Sequence, residues 1–242
     1  MEQQFRYQVQ TDFSYFNQDG MMKIYGYQHL FAQLVDQHLE ALNLTMEDTL
    51  DYGLAWVLRS ISLTIKKKVP RGEILLGRTW HSQRKGPYFR REYEFCNQQG
   101  EILVQGSSFS ILLDMGKRSI YRAQTVPFAF IEPTEEFLLE ASPSFKCPDY
   151  YDAIEERVVR PSHIDGIGHV NNARYGEFAY DALTESEIMS LPQIQRIDYY
   201  FLSEMALGTA FQIMRTKTDS QLFLRGKHLS TGKTSFDIIL TY

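Results

Sequence analysis

A short polar segment, Asp165–Asn172, holds most of the side chains in this sequence that could do chemistry. It contains an acid, two glycines, a histidine and two adjacent asparagines, and a helical pattern begins directly behind it. The start of a helix offers unpaired backbone N–H groups and the positive end of the helix dipole, and both can hold developing negative charge. The segment therefore predicts a polar site at a helix N-terminus.

The predicted catalytic residues are Asp165, His169 and Glu204, the last directly after a predicted strand, 194–203. Hydrolysis of an ester or thioester needs a water or carboxylate nucleophile, a proton acceptor, and donors that face the developing oxyanion. Either carboxylate can serve as the base or nucleophile, while His169 can orient water, polarise a carbonyl or shuttle a proton. The sequence leaves open which carboxylate does the chemistry.

Each of these residues also has a plainer interpretation. Asp165 could simply cap the following turn, a common role for an acid before a helix. His169 could be an ordinary loop histidine, and Glu204 a solvated strand residue. Asn171 and Asn172 suit loop stabilisation as well as substrate binding, and we interpret the nearby His163 as peripheral.

The elements that must position the segment form two similar series. In the first half, apolar residues recur at steps of three and four from Ile24 to Leu42, which predicts an amphipathic helix. Alternating patterns predict strands in both halves. The strands of the first half are expected at 5–10, 55–65, 73–81, 88–96 and 101–113. The second half is expected to have a helix over 173–189 and strands at 153–160, 194–203, 209–216, 221–227 and 235–242.

This repeated order predicts an α+β protein with two tandem domains, 1–123 and 151–242, joined by a proline-rich linker, 124–150. Aligning Gly20 with Gly168 places Asn17 opposite Asp165 and Met21 opposite His169. Aligning Gly72 with Gly208 for the strands that follow places Lys68 opposite Glu204. Only the second half keeps titratable groups at these positions. We therefore expect a catalytic C-terminal domain and a substrate-shaping N-terminal domain.

Composition excludes several classes of protein. Of the 242 residues, 43% are hydrophobic and 23% charged, which argues against disorder, and the net charge of −5 argues against nucleic-acid binding. No apolar run is long enough for a membrane span, and the N-terminus has no signal-peptide pattern. Cys96 and Cys147 have no zinc-ligand spacing, and no phosphate-binding glycine motif is present. We expect a cytoplasmic protein without a metal or cofactor.

The polar segment, with Tyr175 three residues after it, resembles the Asp-x-Asn-x-His-Val-Asn-Asn-x-x-Tyr motif of plant and bacterial acyl-ACP thioesterases. Further matches are Trp56 in GLAWVL, Arg78-Thr79-Trp80, the stretch RREYEF and Glu204 in FLSEM. The resemblance covers essentially the whole chain. It implies two tandem hotdog domains, each with a long central helix wrapped by an antiparallel sheet. The implied reaction is hydrolysis of fatty acyl-ACP, which releases free fatty acid and terminates fatty acid synthesis.

Two positions depart from the family pattern. Ile167 occupies the place of the motif's asparagine and cannot form a side-chain hydrogen bond, so Asn171, Asn172 or helix-start N–H groups would have to replace that donor. Met205 stands where many members carry a cysteine after the glutamate, so a cysteine nucleophile has little support here.

The resemblance also implies substrate contacts at Ile167, Asn171, Asn172 and Trp56, with an apolar tunnel whose depth selects chain length. An acidic carrier protein would need a local basic patch. The candidates are Lys66–Lys68 with Arg71, and Arg84-Lys85 with Arg90 and Arg91. An acyl-CoA thioesterase and a non-catalytic acyl-binding or dehydratase-like hotdog protein are the alternatives, and a homodimer is left open.

Overall fold

The computed structural model describes residues 7–44, 46–123, 125–128 and 134–242. They form two compact units. Unit 1 contains the described residues up to Thr11 together with Leu30–Pro143, and unit 2 contains Asp12–His29 together with Ser144–Tyr242. Asp12–His29 thus packs with the C-terminal residues. The predicted domains and the linker 124–150 stay a prediction, and positions 124 and 129–133 of that linker lie outside the described residues.

Unit 1 is built on an antiparallel sheet. Its helices and strands, in chain order, are β1 (Tyr7–Gln10), α1 (Ile24–Ala41, whose first six residues belong to unit 2), α2 (Met46–Asp51), β2 (Leu54–Ile65), β3 (Ile74–Lys85), β4 (Tyr88–Cys96), β5 (Ile102–Asp114) and β6 (Ser119–Ile120). The strand order is β1–β3–β4–β5–β2, and the short β6 pairs with β5. The predicted helix and strands of the first half are confirmed within the described residues.

Glycines on the inner face of this sheet let α1 lie close to it. A Cβ at Gly106 would lie 2.6 Å from Phe31 Cζ, and one at Gly77 would lie 2.9 Å from Leu34 Cδ1. The Phe31 ring also packs on Tyr93, with ring centroids 4.6 Å apart. Because real side chains do not approach so closely, only glycine permits this helix–sheet packing.

The segment 134–143 runs across the opposite, outer face of the unit 1 sheet. The indole of Trp80 donates to the Glu136 carbonyl at 3.2 Å, and Arg90 donates to the Leu139 carbonyl at 2.6 Å. The buried Glu92 carboxylate accepts a backbone N–H from the same segment. Polar side chains of the strands therefore tie this segment to the sheet surface.

Unit 2 repeats the arrangement of antiparallel strands and a helix. Its elements in chain order are β7 (Asp152–Val158), α3 (Asn172–Asp181), α4 (Glu185–Met189), β8 (Arg196–Phe201), β9 (Ala210–Lys217), β10 (Gln221–His228) and β11 (Thr234–Thr241). The strand order is β8–β11–β10–β9–β7. All the strands predicted for this half are present, and the predicted α+β class is confirmed.

The helix predicted over 173–189 is wrong in one respect, because it is two helices. α3 ends at Asp181, and Thr184 begins α4 by accepting the Glu187 N–H while the Glu187 carboxylate accepts the Thr184 N–H. This reciprocal capping box satisfies the free N–H groups of a new helix start. It stabilises the break between the two helices.

The start of α1 crosses α3 within unit 2. The Gln28 side chain donates to the Asn172 carbonyl at 3.1 Å, and the Tyr199 hydroxyl donates to the Ile24 carbonyl at 2.6 Å. At the crossing, a Cβ on Gly176 would lie 2.9 Å from Tyr25 Cβ and closer still to the Gln28 amide. The glycine therefore sets how closely α1 approaches the helix that follows the polar segment.

No helix in the described part of the chain is long and apolar enough to cross a membrane.

Candidate active site

The polar segment folds into a tight loop that ends at the start of α3. Ile164 and Val170 form an antiparallel bridge, and the Asp165 N–H donates to the His169 carbonyl at 2.9 Å. Gly168 closes the turn with φ +87°, a left-handed conformation that favours glycine. The loop therefore fixes the backbone of His169.

The Asp165 carboxylate lies at the centre of this loop. Its Oδ1 accepts the N–H of Ile167 at 3.1 Å and that of His169 at 3.4 Å. A short acid whose oxygen binds the backbone ahead of it stabilises a turn in just this way. Asp165 thus has at least a structural role.

The corresponding loop of the first repeat has the same backbone hydrogen bonds. Asn17 N–H donates to the Met21 carbonyl at 2.9 Å, Asn17 Oδ1 accepts the Met21 N–H at 2.8 Å, and Gly20 has φ +71°. Phe16 and Met22 form the bridge that closes it. The predicted alignment of Asn17 with Asp165 and of Met21 with His169 is confirmed at the backbone level. One loop carries a histidine, and its counterpart carries a methionine.

The two asparagines stand at the start of α3. Asn171 is the N-cap, since its Oδ1 accepts the Ala173 N–H at 2.9 Å. That cap leaves the Asn171 Nδ2 donors for other partners. Asn172 is exposed, and its carbonyl accepts the Gln28 amide. Both residues stabilise local structure, as the plainer interpretation predicted, and both stand at the positive end of a helix.

The loop brings His169 to Glu204. His169 Nε2 lies 3.3 Å from Glu204 Oε2, and the two side chains are 42% and 58% exposed. β8 ends at Phe201 and Glu204 lies in the loop that follows, so the plainer interpretation of Glu204 as a strand residue is wrong. A loop carboxylate beside a loop histidine can accept a proton or orient the imidazole.

A buried network anchors the segment that carries Glu204. The Met205 carbonyl accepts the Val170 N–H at 2.9 Å, which ties the two loops together. The Tyr175 hydroxyl hydrogen-bonds to Ser235 and to the Met205 backbone, and burial is the main cause of its raised pKa. Ser235 Oγ in turn donates to the Ser203 carbonyl.

His228, at the end of β10, supports Glu204 directly through a hydrogen bond to the Glu204 backbone. Burial is the main cause of the lowered pKa of His228, and the nearby Lys233 adds to it. Sequence reasoning gave neither His228 nor Ser235 a role. No motif marks His228 or Ser235, whereas Tyr175 stood inside the motif without an assigned function.

His163 has the peripheral role predicted for it. Its Nδ1 accepts the Arg160 N–H at 2.9 Å, and its ring packs edge-on against Phe178 with centroids 4.8 Å apart. It also lines an open cavity of about 580 Å³ beside α3. The histidine therefore stabilises the turn that precedes Asp165.

The predicted substrate-binding residues lie in different surroundings. Ile167 is 59% exposed at the tip of the loop, and its N–H is taken by Asp165, so it offers no donor. Trp56 belongs to unit 1, where its ring packs edge-on against Phe89 at 4.9 Å and near Phe128. The role of both residues in substrate binding stays a prediction.

One of the two predicted docking patches is wrong in part. Arg90 and Arg91 are 9% and 7% exposed, so they cannot form a surface patch. They lie in the middle of β4, where both faces of the strand are covered. Lys66–Lys68 are exposed, as a docking surface requires.

No group of three or more histidine, cysteine or acidic residues suited to a metal ion occurs in the described ranges. The chemistry that the site offers is acid–base chemistry by a histidine–carboxylate pair, next to hydrogen-bond donors at a helix start. This combination suits the addition of water to an acyl carbon.

The family match covers both halves of the chain. The acyl-ACP thioesterase N-terminal domain matches residues 2–129, and the acyl-ACP thioesterase C-terminal domain matches residues 149–240. No curated protein matches the sequence.

Solved structures share the fold along nearly the whole length. The 12:0-ACP thioesterase from Umbellularia californica has a TM-score of 0.82 at 17% identity, over 98% of this chain and 96% of that one. An acyl-ACP thioesterase from Bacteroides thetaiotaomicron has a TM-score of 0.77 at 14% identity, over 98% and 96%. These likenesses confirm the predicted hotdog-type fold. With both domain models matched, the sequence-based prediction is confirmed: the chain belongs to the acyl-ACP thioesterase family, whose members are thioester hydrolases.

Proposed function

We propose that the His169–Glu204 pair hydrolyses the thioester between a fatty acyl chain and acyl carrier protein. The single observation that carries this assignment is the 3.3 Å separation of His169 Nε2 and Glu204 Oε2. This short distance brings together His169 and Glu204, the two titratable residues that differ most in chemistry from their counterparts in the first repeat, Met21 and Lys68. The products are free fatty acid and the carrier protein thiol, and their release ends fatty acid synthesis.

In this mechanism Glu204 and His169 act together on one water molecule. The water oxygen attacks the thioester carbon, and its proton passes to the histidine–carboxylate pair. The tetrahedral intermediate then collapses, the carbon–sulfur bond breaks, and the departing thiolate takes a proton from the imidazole. Asp165 holds the loop that orients His169, so it acts on the chemistry through His169.

The oxyanion donors are assigned to the start of α3. Ile167 cannot supply the side-chain donor of the family motif, and its N–H is used by Asp165. Asn171 Nδ2 and the Asn172 N–H are donors at the start of α3 that remain, since Asn171 already accepts the N–H groups of Ala173 and Arg174. A single oxyanion donor is worth about 10²–10³ in turnover. Asn171→Ala should therefore lower kcat, beyond any loss of the helix cap.

The carrier protein is proposed as the partner, with the exposed Lys66–Lys68 as the basic docking surface. Glu101 pairs with Lys67 at 2.5 Å, so Lys66 and Lys68 are the lysines of this run without an ion pair among the described residues. A homodimer and a cytoplasmic location remain proposals. The location is supported by the two cysteines, Cys96 and Cys147, which are not joined in a disulfide.

The test is release of fatty acid from a series of acyl-ACPs of increasing chain length. Wild-type protein should release fatty acid, and His169→Ala should reduce the rate by about 10²–10⁴-fold, as for loss of a general acid–base group. Acyl-CoA of equal chain length distinguishes the first alternative, since faster turnover of acyl-CoA would contradict a carrier-protein substrate. Unchanged hydrolysis in His169→Ala and Glu204→Ala would overturn the site assignment.

A further inference from the structure

The interior of unit 1 contains a buried cation without a carboxylate partner. Arg91 is 7% exposed, and no acidic side chain of the described residues forms an ion pair with it. Its guanidinium donates to His81 Nε2 at 2.7 Å and to Thr79 Oγ1 at 3.3 Å. Because a guanidinium can only donate, the His81 ring accepts through Nε2 and is neutral.

The preceding arginine provides a direct contrast. Arg90 points to the outer face of the sheet, where its Nε lies 2.6 Å from Glu92 Oε1. It also donates to Ser107 Oγ at 2.9 Å and to the Leu139 carbonyl at 2.6 Å. Arg90 is therefore neutralised by a carboxylate inside the protein, and Arg91 is not.

The groups around Arg91 on the inner face do not supply negative charge. Burial is the main cause of the lowered pKa values of His38 and His81, and the charge of Arg91 contributes to both. Tyr7 and Tyr93 are the nearby acidic groups, and phenols are neutral at physiological pH. A buried charge without a partner is costly, so this arrangement is expected to be completed by an anion.

An apolar cluster adjoins this cation on the same face. Phe89 lies two residues before Arg91 on β4 and packs with Leu54, Leu112 and Trp56. His81, which accepts a hydrogen bond from the Arg91 guanidinium, is itself only partly buried. Trp56 covers the buried members of this cluster and is itself only partly buried, so the inner face offers a cation next to apolar surface that an aliphatic chain can cover.

We propose that Arg91, held in place by His81 and Thr79, binds the carboxylate of an aliphatic chain whose hydrocarbon part packs on the Trp56–Phe89 cluster. Two sources share this chemistry, a free fatty acid and the terminal carboxylate of a dicarboxylic acyl chain. The proposal goes beyond thioester hydrolysis and does not depend on it.

Binding is tested by calorimetry on the full chain, with decanoate, decanedioate monomethyl ester and decanol as probes. We expect both carboxylates to bind wild-type protein and His169→Ala equally, and decanol to bind at least tenfold more weakly. Arg91→Met should lose at least tenfold in affinity for the carboxylates, and Arg91→Lys should recover part of it. Equal affinity of Arg91→Met and wild type would overturn the proposal, as would loss of binding in His169→Ala. Whichever carboxylate binds more tightly identifies the source.

A second measurement needs no ligand and guards against a variant that fails to fold. In urea unfolding, Arg91→Met should leave the midpoint unchanged or raise it, because it removes a buried charge that the protein does not neutralise. The matched variant Arg90→Met should lower the midpoint, because it leaves the fully buried Glu92 without its cation. If Arg91→Met lowered the midpoint as much as Arg90→Met, Arg91 would be a satisfied structural residue and the proposal would fail.

Discussion

Two loops with the same backbone hydrogen bonds differ in their chemistry by a few side chains. Asn17 and Asp165 accept equivalent backbone N–H groups, and Gly20 and Gly168 share the left-handed turn position. The distinguishing feature is His169, since its counterpart is Met21. Because an asparagine suffices to hold the loop in one repeat, the charge of Asp165 is not needed for the fold of the other.

Among single residues, Tyr175 is predicted to position Glu204. Tyr175→Phe removes the hydroxyl that binds Ser235 and the Met205 backbone, so the Glu204 segment loses a fixed point. We expect kcat to fall about 10–10²-fold through misplacement of the carboxylate, with little change in KM. Steady-state hydrolysis of acyl-ACP measures both constants.

The matched control is Tyr180→Phe, a change of a second tyrosine on α3 that is only half-buried. Its hydroxyl hydrogen-bonds to Asn17 and not to the Glu204 segment, so the change should leave kcat within about twofold. A normal kcat in folded Tyr175→Phe would remove Tyr175 from the positioning role.

At the scale of elements, the close crossing of α1 and α3 depends on Gly176. Gly176→Ala would place a Cβ against Tyr25 and the Gln28 amide, which holds the Asn172 carbonyl. We expect a loss of about 1–3 kcal/mol in the free energy of unfolding, as for other overpacked sites. Gly166→Ala is the control, since a Cβ there meets no atom within 4 Å. Equal stability of the two variants in urea would show that the helices can separate at no cost.

The strands and the long helix were predictable because each has a buried face on which apolar residues recur at regular spacing. α2 was missed, and so was the two-residue β6, which has no period to detect. The break before α4 was readable in principle, because Thr184 and Glu187 have capping-box spacing. Arg91 illustrates the other limit: it alternates with Phe89 and Tyr93 on one face, a pattern that predicts burial, yet the charge suggested a surface patch.

The candidate site was predictable only as a set of residues. The motif located Asp165, His169 and Glu204, but the choice between the carboxylates depends on a contact between two distant loops. That contact is set by Tyr175, Ser235 and the Val170–Met205 hydrogen bond. Of these only Tyr175 stands in the motif, and the motif does not say what its hydroxyl binds.

At the scale of the whole molecule, stability should depend on pH through a buried histidine. Burial lowers the pKa of His38 from 6.5 to about 4. A group whose pKa is lowered on folding contributes stability that is present above its unfolded pKa and is lost as the pH falls toward its folded pKa. Between pH 6.5 and about pH 4 we expect a loss of roughly 3 kcal/mol from this residue.

Urea unfolding at pH 7 and at pH 5 should show about 2 kcal/mol of this loss, and His38→Gln should flatten the dependence. A dependence of the same steepness in His38→Gln would assign the effect to other groups, of which His81 is the first candidate because its pKa is also lowered.

The central claim is that Glu204 supplies the carboxylate of the reaction while Asp165 holds the loop. Single-turnover hydrolysis of one acyl-ACP by Asp165→Asn and Glu204→Gln tests it most directly, since both changes remove a charge and keep the shape. Asp165→Asn recreates the hydrogen bonds that Asn17 makes in the first repeat, so it should retain hydrolysis within about tenfold, whereas Glu204→Gln should lose about 10²–10⁴-fold. The reverse order, with Asp165→Asn inactive and Glu204→Gln active, would contradict the account.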